Sequence, residues 1–562
     1  MIHRALLVGA TLATLATLGG CAAPPSTEER LVAEQIRTRI EAAGVVAELR
    51  AGGEPVYASS VLPKFYERRL YRPAWSDAGG PTRLADDLVG ALHRADLEGL
   101  RSEDYHLAGI EAVLAAVRAD DKHGPALAPD RWAELDLLLT DAFLLYGAHL
   151  TAGRVNPETL NPEWGSNRRT ADVVAVLEAG LASGNIPGAI ESLVPTQYGY
   201  RRLREALAKD REVAAAGGWP AIPEGVTLQL GDSGAPVAAL RRRLRLEDDL
   251  GGADDPEQES DAARFDETVE RAVKIFQQRH GLAADGVVSA TTRAELNVPV
   301  ERRVEQLELN LERWRWLPKD LGHRHIIVNI AAYELEVVDG DSVVLSMRVV
   351  VGRPYDRTPV LSDTMRYLVL NPYWHVPGAL ARDELLPKFR HDRSYLARYK
   401  MRIFPASGGD GREVDPTTVD WAATSRGHFP YQVRQDPGPR NALGRIKFMF
   451  LNKYNVYLHD TPAGALFAEA QRDFSHGCIR LQHPIELAVV LLQDPRWDRD
   501  SILLALDDAV DRTVPLPQPI PIHLLYWTAW AAADGTIQFR RDIHGRDGPL
   551  LTALRAPPPI TP

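Results

Sequence analysis

Residues 324–351 read RHIIVNIAAYELEVVDGDSVVLSMRVVV, a stretch in which apolar and polar residues largely alternate. Ile326 and Val328 fall on one face of an extended chain, because successive side chains of a strand point to opposite sides. Asp339-Gly340 is typical of a tight hairpin turn and precedes a second apolar run at 343–351. The stretch therefore predicts β-strands joined by a hairpin.

Further strand-like segments follow at residues 367–370, 447–451 and 457–458. We predict from them a mostly β unit over residues 324–511. A long polar insertion at about 378–430 interrupts this unit. Because loops of this length inside a compact domain tend to be functional, we expect a lid that covers a groove and orders when a ligand binds.

The rest of the chain divides into helical units. Leu84, Leu88 and Leu92 recur at helical spacing, and residues 28–220 are predicted to form a helical scaffold domain. A separate small module with three short helices is predicted at 226–297. A C-terminal tail is predicted at 512–562, after the β unit. The predicted fold class is multidomain α+β: a helical scaffold, a small three-helix module and a mostly β catalytic domain with a lid insertion.

Two short segments carry the groups that an acyl transfer needs, YLHDTP at 457–462 and SHGCIR at 475–480. A cysteine thiol becomes a nucleophile when a nearby imidazole takes its proton and remains beside it as a cation. We predict that Cys478 is the nucleophile and that His459 is the base. His476 is nearer in the chain, but residues two apart seldom meet side chain to side chain, whereas residues on adjacent strands do.

The residues around the cysteine suggest supporting roles. Gly477 permits a tight turn, so the backbone N–H groups of Gly477 and Cys478 are expected to face the oxygen that becomes negative during acyl transfer. Arg480 either holds a substrate carboxylate or pins the local loop. This chemistry requires no metal and no cofactor.

The composition and the N-terminal residues restrict the partners and the cellular location that we expect for this protein. The formal charge of -11 argues against a nucleic-acid partner, which would need a basic face. Residues 1–21 contain an apolar run from Ala5 to Leu18 and predict an export signal, too short for a membrane-spanning helix. The chain has two cysteines, Cys21 and Cys478, so if Cys21 is acylated no internal disulfide forms.

Several segments resemble known families. The two segments around His459 and Cys478 resemble the signature of the L,D-transpeptidase catalytic domain. Residues 28–220 resemble the scaffold domain of large L,D-transpeptidases, and 226–297 resembles the peptidoglycan-binding module type 1. Leu18-Gly19-Gly20-Cys21 resembles the bacterial lipobox, in which the cysteine is acylated; ordinary secretory cleavage near Ala22 is the alternative.

The resemblance implies further site residues. The backbone carbonyl of Asp460 would orient the imidazole of the base, as a carboxylate does in other triads. Ser475 and His476 would support the catalytic turn, while Tyr457 and Trp374 would join Arg480 in binding the substrate. A carbapenem would then add covalently to the nucleophile.

The resemblance also implies a function. The enzyme would cut a tetrapeptide stem of peptidoglycan, hold it as an acyl-thioester and pass it to an amine, forming 3-3 crosslinks. It would work in the periplasm or cell envelope, held to a membrane by an N-terminal lipid, and water or a lipoprotein lysine are alternative acceptors. The other hypotheses are a wall-binding scaffold with an inactive catalytic domain, a cysteine peptidase or carboxypeptidase of the wall, and a zinc amidase with His459, His476 and Cys478 as ligands.

Overall fold

The computed structural model describes most of the chain: residues 25–46, 48–77, 80–120, 129–161, 164–165, 168–225, 227–250, 263–406, 411–421, 423–425 and 427–559. The predicted signal peptide, with Cys21, lies outside these residues. Within the described ranges, no helix combines the length and the apolar character needed to cross a membrane.

The N-terminal region is helical, as predicted. Its helices are α1 (Thr27–Val46), α2 (Leu62–Arg68), α3 (Arg83–Leu92), α4 (Leu107–Asp120), α5 (Pro129–Ala152), α6 (Pro157–Leu160), α7 (Val173–Ser183), α8 (Ile186–Glu191) and α9 (Tyr198–Ala215). Short strands accompany them: β1 (Arg50–Ala51), β2 (Glu54–Pro55), β3 (Ser76–Asp77), β4 (Gly80–Pro81) and β5 (Trp164–Gly165). Helix α5 is the centre of the region, because most of its side chains are buried on every face.

The small module contains the three predicted helices, α10 (Ala235–Leu246), α11 (Glu267–Arg279) and α12 (Ala290–Leu296). Asp266 caps α11 by accepting a hydrogen bond from the Val269 amide at 3.0 Å. The apolar stripe of α11 enters the core of the module with Val269, Val273 and Phe276 fully buried, as their helical spacing indicates. The module therefore has a hydrophobic core of its own.

One helix that the sequence did not suggest to us connects the units. Helix α13 (Val300–Arg315) follows the module directly and packs against α9 of the scaffold region. Arg315 near its end is fully buried; its guanidinium donates to Glu312 at 2.9 Å and to the hydroxyl of Tyr200 at 2.9 Å. The buried charge is thus paired inside the interface between α13 and α9.

The C-terminal half is mostly β. Its strands are β6 (Arg324–Asn329), β7 (Glu334–Asp339), β8 (Ser342–Gly352), β9 (Val360–Leu370), β10 (Trp374–His375), β11 (Met401–Pro405), β12 (Tyr431–Gln435), β13 (Ile446–Phe450), β14 (Leu458–His459), β15 (Asp473–Ser475), β16 (Ile479–Leu481), β17 (Arg512–Leu525), β18 (Ala529–Ala531) and β19 (Ile537–Phe539). Its helices are α14 (Gly378–Leu380), α15 (Leu386–His391), α16 (Tyr395–Arg398), α17 (Pro484–Leu492), α18 (Arg499–Asp507) and α19 (Asp547–Arg555).

The main sheet has ten strands in the order β13-β14-β16-β8-β7-β6-β17-β9-β5, with β15 attached to β8. Because β13 also pairs with β9, the sheet closes on itself. Ile326 and Val328 are fully buried, and the hairpin turn at Asp339–Gly340 joins β7 to β8. The predicted strands, the hairpin and the multidomain α+β fold class are confirmed.

The predicted tail beginning at residue 512 needs correction. Strand β17 lies between β6 and β9 inside the main sheet, so the β unit extends well past residue 511. Proline recurs at alternate positions from Pro515 to Pro521, and proline cannot donate to a ladder, which obscured the strand in the sequence. The ladder accommodates these residues through a register shift between Pro515 and Ile520.

The insertion also differs from the expected irregular loop. Strands β10, β12 and β11 form a three-stranded sheet of their own, with α14, α15 and α16 beside it. A separate core holds them together, formed by buried Val376, Ala381, Leu385, Leu386, Phe389, Leu396, Met401, Ile403, Val419, Trp421 and Val433. We call this unit the lid subdomain, residues 374–435. Its apolar residues are scattered along the chain without a clear period, so the core was not visible in the sequence.

Candidate active site

The closed sheet brings the two predicted catalytic segments together. Strands β14 and β16 are parallel neighbours, with His459 opposite Arg480. Cys478 immediately precedes β16 and follows the same alternation as Arg480, so Cys478 and His459 are diagonal neighbours on one face. The two residues therefore share one site although 18 residues lie between them in the chain.

His459 has a fixed orientation. Its Nδ1 lies 2.5 Å from the backbone carbonyl of Asp460, and a carbonyl oxygen only accepts, so Nδ1 carries the proton and Nε2 is left as an acceptor. The imidazole is 5% exposed. Burial, followed by the positive charges of Arg480 and Lys447, lowers the pKa of His459 to about 3. The neutral ring is thus the stable form at neutral pH.

Cys478 is partly exposed as a residue and is a free thiol. Burial raises the pKa of this thiol, although hydrogen bonding with Tyr457 and the charges of Lys447 and Arg480 oppose that shift. Burial and then the interaction with Cys478 raise the pKa of the Tyr457 hydroxyl. Among the described residues, no hydrogen bond joins the thiol to the His459 ring.

These pKa shifts bear on one expectation, that proton transfer from the thiol to the imidazole precedes the attack on the acyl carbon. A raised thiol pKa and a lowered imidazole pKa both favour the neutral forms, because burial disfavours charge. Burial therefore favours a thiol and a neutral imidazole in the absence of substrate. We expect proton transfer to accompany the attack.

The turn before the cysteine is tied by its own side chains. Gly477 has φ of +103°, a conformation that residues with a side chain rarely adopt. Its N–H donates to Ser475 Oγ at 3.2 Å, and that hydroxyl donates to the Cys478 carbonyl at 2.5 Å. The Gly477 amide, expected to face the developing oxyanion, is thus engaged within the turn. The Cys478 amide has no such partner among the described hydrogen bonds.

Residues far along the chain hold this turn in place. Thr358 Oγ1 donates to the Gly477 carbonyl at 2.9 Å and accepts from the Gly352 amide at 2.9 Å. From the C-terminal region, His544 Nε2 donates to the Gly352 carbonyl at 2.8 Å and Arg546 donates to the Thr358 carbonyl at 3.0 Å. No role for these residues was predicted from the sequence, because no local pattern relates them to Gly477.

His476 points away from the thiol and toward the lid subdomain. Its Nε2 lies 2.6 Å from Glu384, in the π-helical turn Ala381–Leu385, and it also contacts Arg353. Burial alone would raise the pKa of Glu384, but the hydrogen bond and charge of His476, with Arg353, lower it. This cluster links the lid subdomain to the catalytic turn.

Trp374 and Lys447 occupy different surroundings. Trp374 belongs to β10 and packs partly buried against the core of the lid subdomain. Lys447, which the sequence did not single out, lies on β13 opposite His459, with Nζ 3.9 Å from the centroid of the Tyr457 ring. No group of three or more His, Cys, Asp or Glu side chains in the described part of the chain is arranged to hold a metal ion.

Comparison with known families gives this site its context. A family model for the L,D-transpeptidase catalytic domain matches residues 323–497. The chain carries an L,D-transpeptidase catalytic domain. A scaffold domain model matches residues 60–207, and a model described as "Putative peptidoglycan binding domain" matches residues 233–296. The resemblance of all three units to their families is confirmed.

Individual proteins that are similar to this chain include a curated relative and two solved structures. A curated protein of Haemophilus influenzae described as "Putative L,D-transpeptidase" is 35% identical over 243 residues, which is 43% of this chain and 48% of that protein. The match thus spans about half the length of that relative. An L,D-transpeptidase structure (residues 123–326) from Xylanimonas cellulosilytica is 16% identical, covers 54% of this chain and 98% of its own, and has a TM-score of 0.16.

A second structure is that of a fused Zn-dependent amidase/peptidase/peptidoglycan-binding domain-containing protein from Clostridium acetobutylicum. It is 15% identical, covers 54% of this chain and 100% of its own, and has a TM-score of 0.14. At these TM-scores the two structures contribute nothing to the assignment, which depends on the family models and the curated relative.

The pKa of His459 leads to a pH prediction for the L,D-transpeptidase domain. We predict that the neutral imidazole of His459 is the base, which is lost only as the pH falls toward its pKa of about 3. We expect the rate of Cys478 acylation by a carbapenem to stay level between about pH 5 and pH 8. Stopped-flow or intact-mass kinetics across this range measure it, with His459→Ala as the control. A rise centred near the ordinary histidine pKa of about 6.5 would contradict the assignment.

The contact between Glu384 and His476 leads to a second prediction. Acylation places a ligand next to the exposed ion cluster, whereas strand β11 (Met401–Pro405) is paired inside the lid sheet. We expect hydrogen exchange to change in peptides containing residues 381–385 after acylation and to stay constant in β11. Equal exchange with and without the ligand throughout the lid subdomain would show that it does not respond to occupancy.

Proposed function

We propose that this protein is a cell-wall L,D-transpeptidase that transfers the acyl group of a peptidoglycan stem by cysteine chemistry and forms 3-3 crosslinks. The observation that carries the proposal is the match of residues 323–497 to the catalytic domain, in which His459 ends β14 and Cys478 immediately precedes the neighbouring strand β16. The peptidoglycan-binding match at 233–296 supports the same substrate.

The first half of the reaction forms a thioester. The Cys478 sulfur attacks the scissile carbonyl carbon while its proton passes to Nε2 of His459. The Asp460 carbonyl keeps that ring in the tautomer that accepts there. When the tetrahedral intermediate collapses, the carbon–nitrogen bond breaks, and His459 returns the proton to the leaving amine of the terminal D-amino acid. The amide of Cys478 is the candidate donor to the oxyanion.

The second half transfers the acyl group. An amine of a neighbouring stem attacks the thioester, His459 accepts its proton, and the thiol leaves with that proton when the carbon–sulfur bond breaks. Water in place of the amine would give carboxypeptidase trimming, and a lipoprotein lysine would give anchoring. The lid subdomain lies beside the turn through Glu384 and His476, where it can exclude water from the thioester.

The proposed substrate also implies a location. Peptidoglycan lies outside the cytoplasmic membrane, so the enzyme acts in the periplasm or cell envelope. The export signal at 1–21 and acylation of Cys21 stay predictions, and mass spectrometry of the mature N-terminus tests them.

The direct experiment is a product analysis. Purified protein is incubated with disaccharide tetrapeptides, and the products are separated and weighed by mass spectrometry. Crosslinked dimers that have lost one terminal D-alanine support transpeptidation, tripeptides alone indicate carboxypeptidase activity, and unchanged tetrapeptides indicate a wall-binding scaffold. Cys478→Ala is the matched control, because it removes the nucleophile and leaves the three domains in place.

A further inference from the structure

Two cations flank the catalytic histidine in a row across three strands. Lys447 on β13 lies opposite His459 on β14, and His459 lies opposite Arg480 on β16. Residues directly opposite one another in a sheet place their side chains on the same face. Lys447 and Arg480 therefore stand on either side of the imidazole, on the face that also carries Cys478.

Neither cation has a counter-ion in the part of the chain that the structure describes. Arg480 forms no ion pair there, and its buried Nε has no hydrogen-bond partner. Lys447 forms neither an ion pair nor a hydrogen bond, and its contact is with the Tyr457 ring. Burial lowers the pKa of both groups, and a thiolate at Cys478 would oppose that shift.

The acidic side chains closest in effect to these two cations already have other hydrogen-bond partners. Glu384, whose charge raises the pKa of Arg480 from longer range, is hydrogen-bonded to His476 at 2.6 Å. Asp511, whose charge raises the pKa of Lys447 from longer range, accepts a hydrogen bond from the Tyr373 amide at 3.4 Å. Holding two half-buried cations without a partner is costly, so the site is built to be completed by an anion.

We propose that Lys447 and Arg480 together bind a carboxylate of the donor stem, namely the C-terminal carboxylate of the D-amino acid that leaves. The inference rests on the proposed function and specifies its donor. This carboxylate belongs to the residue directly after the scissile bond, and consecutive α-carbons are about 3.8 Å apart. A group so close to the attacked carbon falls within reach of side chains that surround the nucleophile and its base.

The arrangement makes the site selective for a stem that ends one residue after the cut. A stem with one more residue would place a neutral peptide bond between the two cations and leave them uncompensated. A charge-assisted hydrogen bond from the ammonium of Lys447, together with the guanidinium of Arg480, recognises the free carboxylate. Lys447 is therefore a substrate-binding residue that sets donor specificity.

The test compares donors and lysine variants. The donors are a tetrapeptide stem with a free C-terminus, the same stem with a C-terminal amide, and a stem amidated on the side-chain carboxylate of its diamino acid. The variants are Lys447→Met, which removes the charge, Lys447→Arg, which keeps it, and Lys453→Met. Lys453 is the matched control because it is exposed and contacts Tyr454 outside the site.

We expect wild type and Lys453→Met to prefer the free C-terminus over the amide by about 10–100-fold in kcat/KM, mainly through KM. Lys447→Met loses this preference and Lys447→Arg retains most of it. An equal loss on both donors in Lys447→Met would overturn the inference by assigning Lys447 a structural role. A preference that depends on the diamino acid's carboxylate instead would also overturn the choice of carboxylate.

Binding to Cys478→Ala, measured by calorimetry with the same donors, tests the inference without turnover. Tighter binding of the free carboxylate, lost when Lys447→Met is added, supports it; equal binding of carboxylate and amide overturns it. Failure of the proposed function would give a different result from failure of this inference. Wild type would then form no product from any donor, while Cys478→Ala would still bind the free carboxylate more tightly than the amide.

Discussion

Replacing Cys478 by alanine is expected to abolish acyl transfer, with a loss on the order of 10⁶-fold as in other enzymes that lose a covalent nucleophile. The sulfur forms the thioester, and an alanine side chain offers no atom that could replace it. A carbapenem presents a strained acyl carbon to the same atom. Intact-mass measurement is therefore expected to show one adduct on the wild type and none on Cys478→Ala.

The second cysteine provides the matched control. The chain contains two cysteines, so Cys21→Ser leaves Cys478 as the remaining cysteine and should keep the full adduct. An equal adduct on Cys478→Ala, or its disappearance in Cys21→Ser, would remove Cys478 from the mechanism. Circular dichroism melting of both variants establishes that they are folded.

The second large effect is expected when the proposed base, His459, is replaced. His459→Ala should slow acylation of Cys478 by about 10²–10⁴-fold, the usual cost of losing a positioned general base. The thiol would then have to lose its proton to water, although burial raises its pKa. Because the ring is buried and truncation leaves a cavity, His459→Gln serves as a second variant that fills most of the space. Both variants should be equally slow when acylation is followed at neutral pH.

His476→Ala is the comparison that separates the two histidines. The His476 ring faces Glu384 of the lid subdomain, so its loss should cost acylation much less than the loss of His459. The opposite order of the two rates would make His476 the base. It would also mean that the in-register pairing of β14 with β16 does not represent the reactive arrangement.

Much of the fold was predictable from local patterns. The alternation around Ile326 and Val328 and the Asp339–Gly340 turn predicted strands that the structure contains. The apolar stripe of α11 predicted a helix in the module. These predictions succeeded because strand and helix periods are properties of a few neighbouring residues.

The lid subdomain and β17 were not predictable in the same way. The apolar residues of the lid, such as Phe389 and Trp421, meet only after the chain has folded back on itself. Strand β17 contains alternate prolines that oppose strand formation locally, and its pairing with β6 and β9 overrides them. In both cases contacts between distant residues outweighed the local preference.

The sequence by itself determined the cysteine chemistry that we propose, because a cysteine after a serine-histidine-glycine turn and a histidine ending a strand are local features of two short segments. Only the tertiary structure decided what surrounds them. It set His459 between Lys447 and Arg480, and it turned His476 toward Glu384. Charge and burial act through space, so the low pKa of His459 and the lack of a counter-ion for Lys447 and Arg480 among the described residues follow from strand pairing and not from the order of residues.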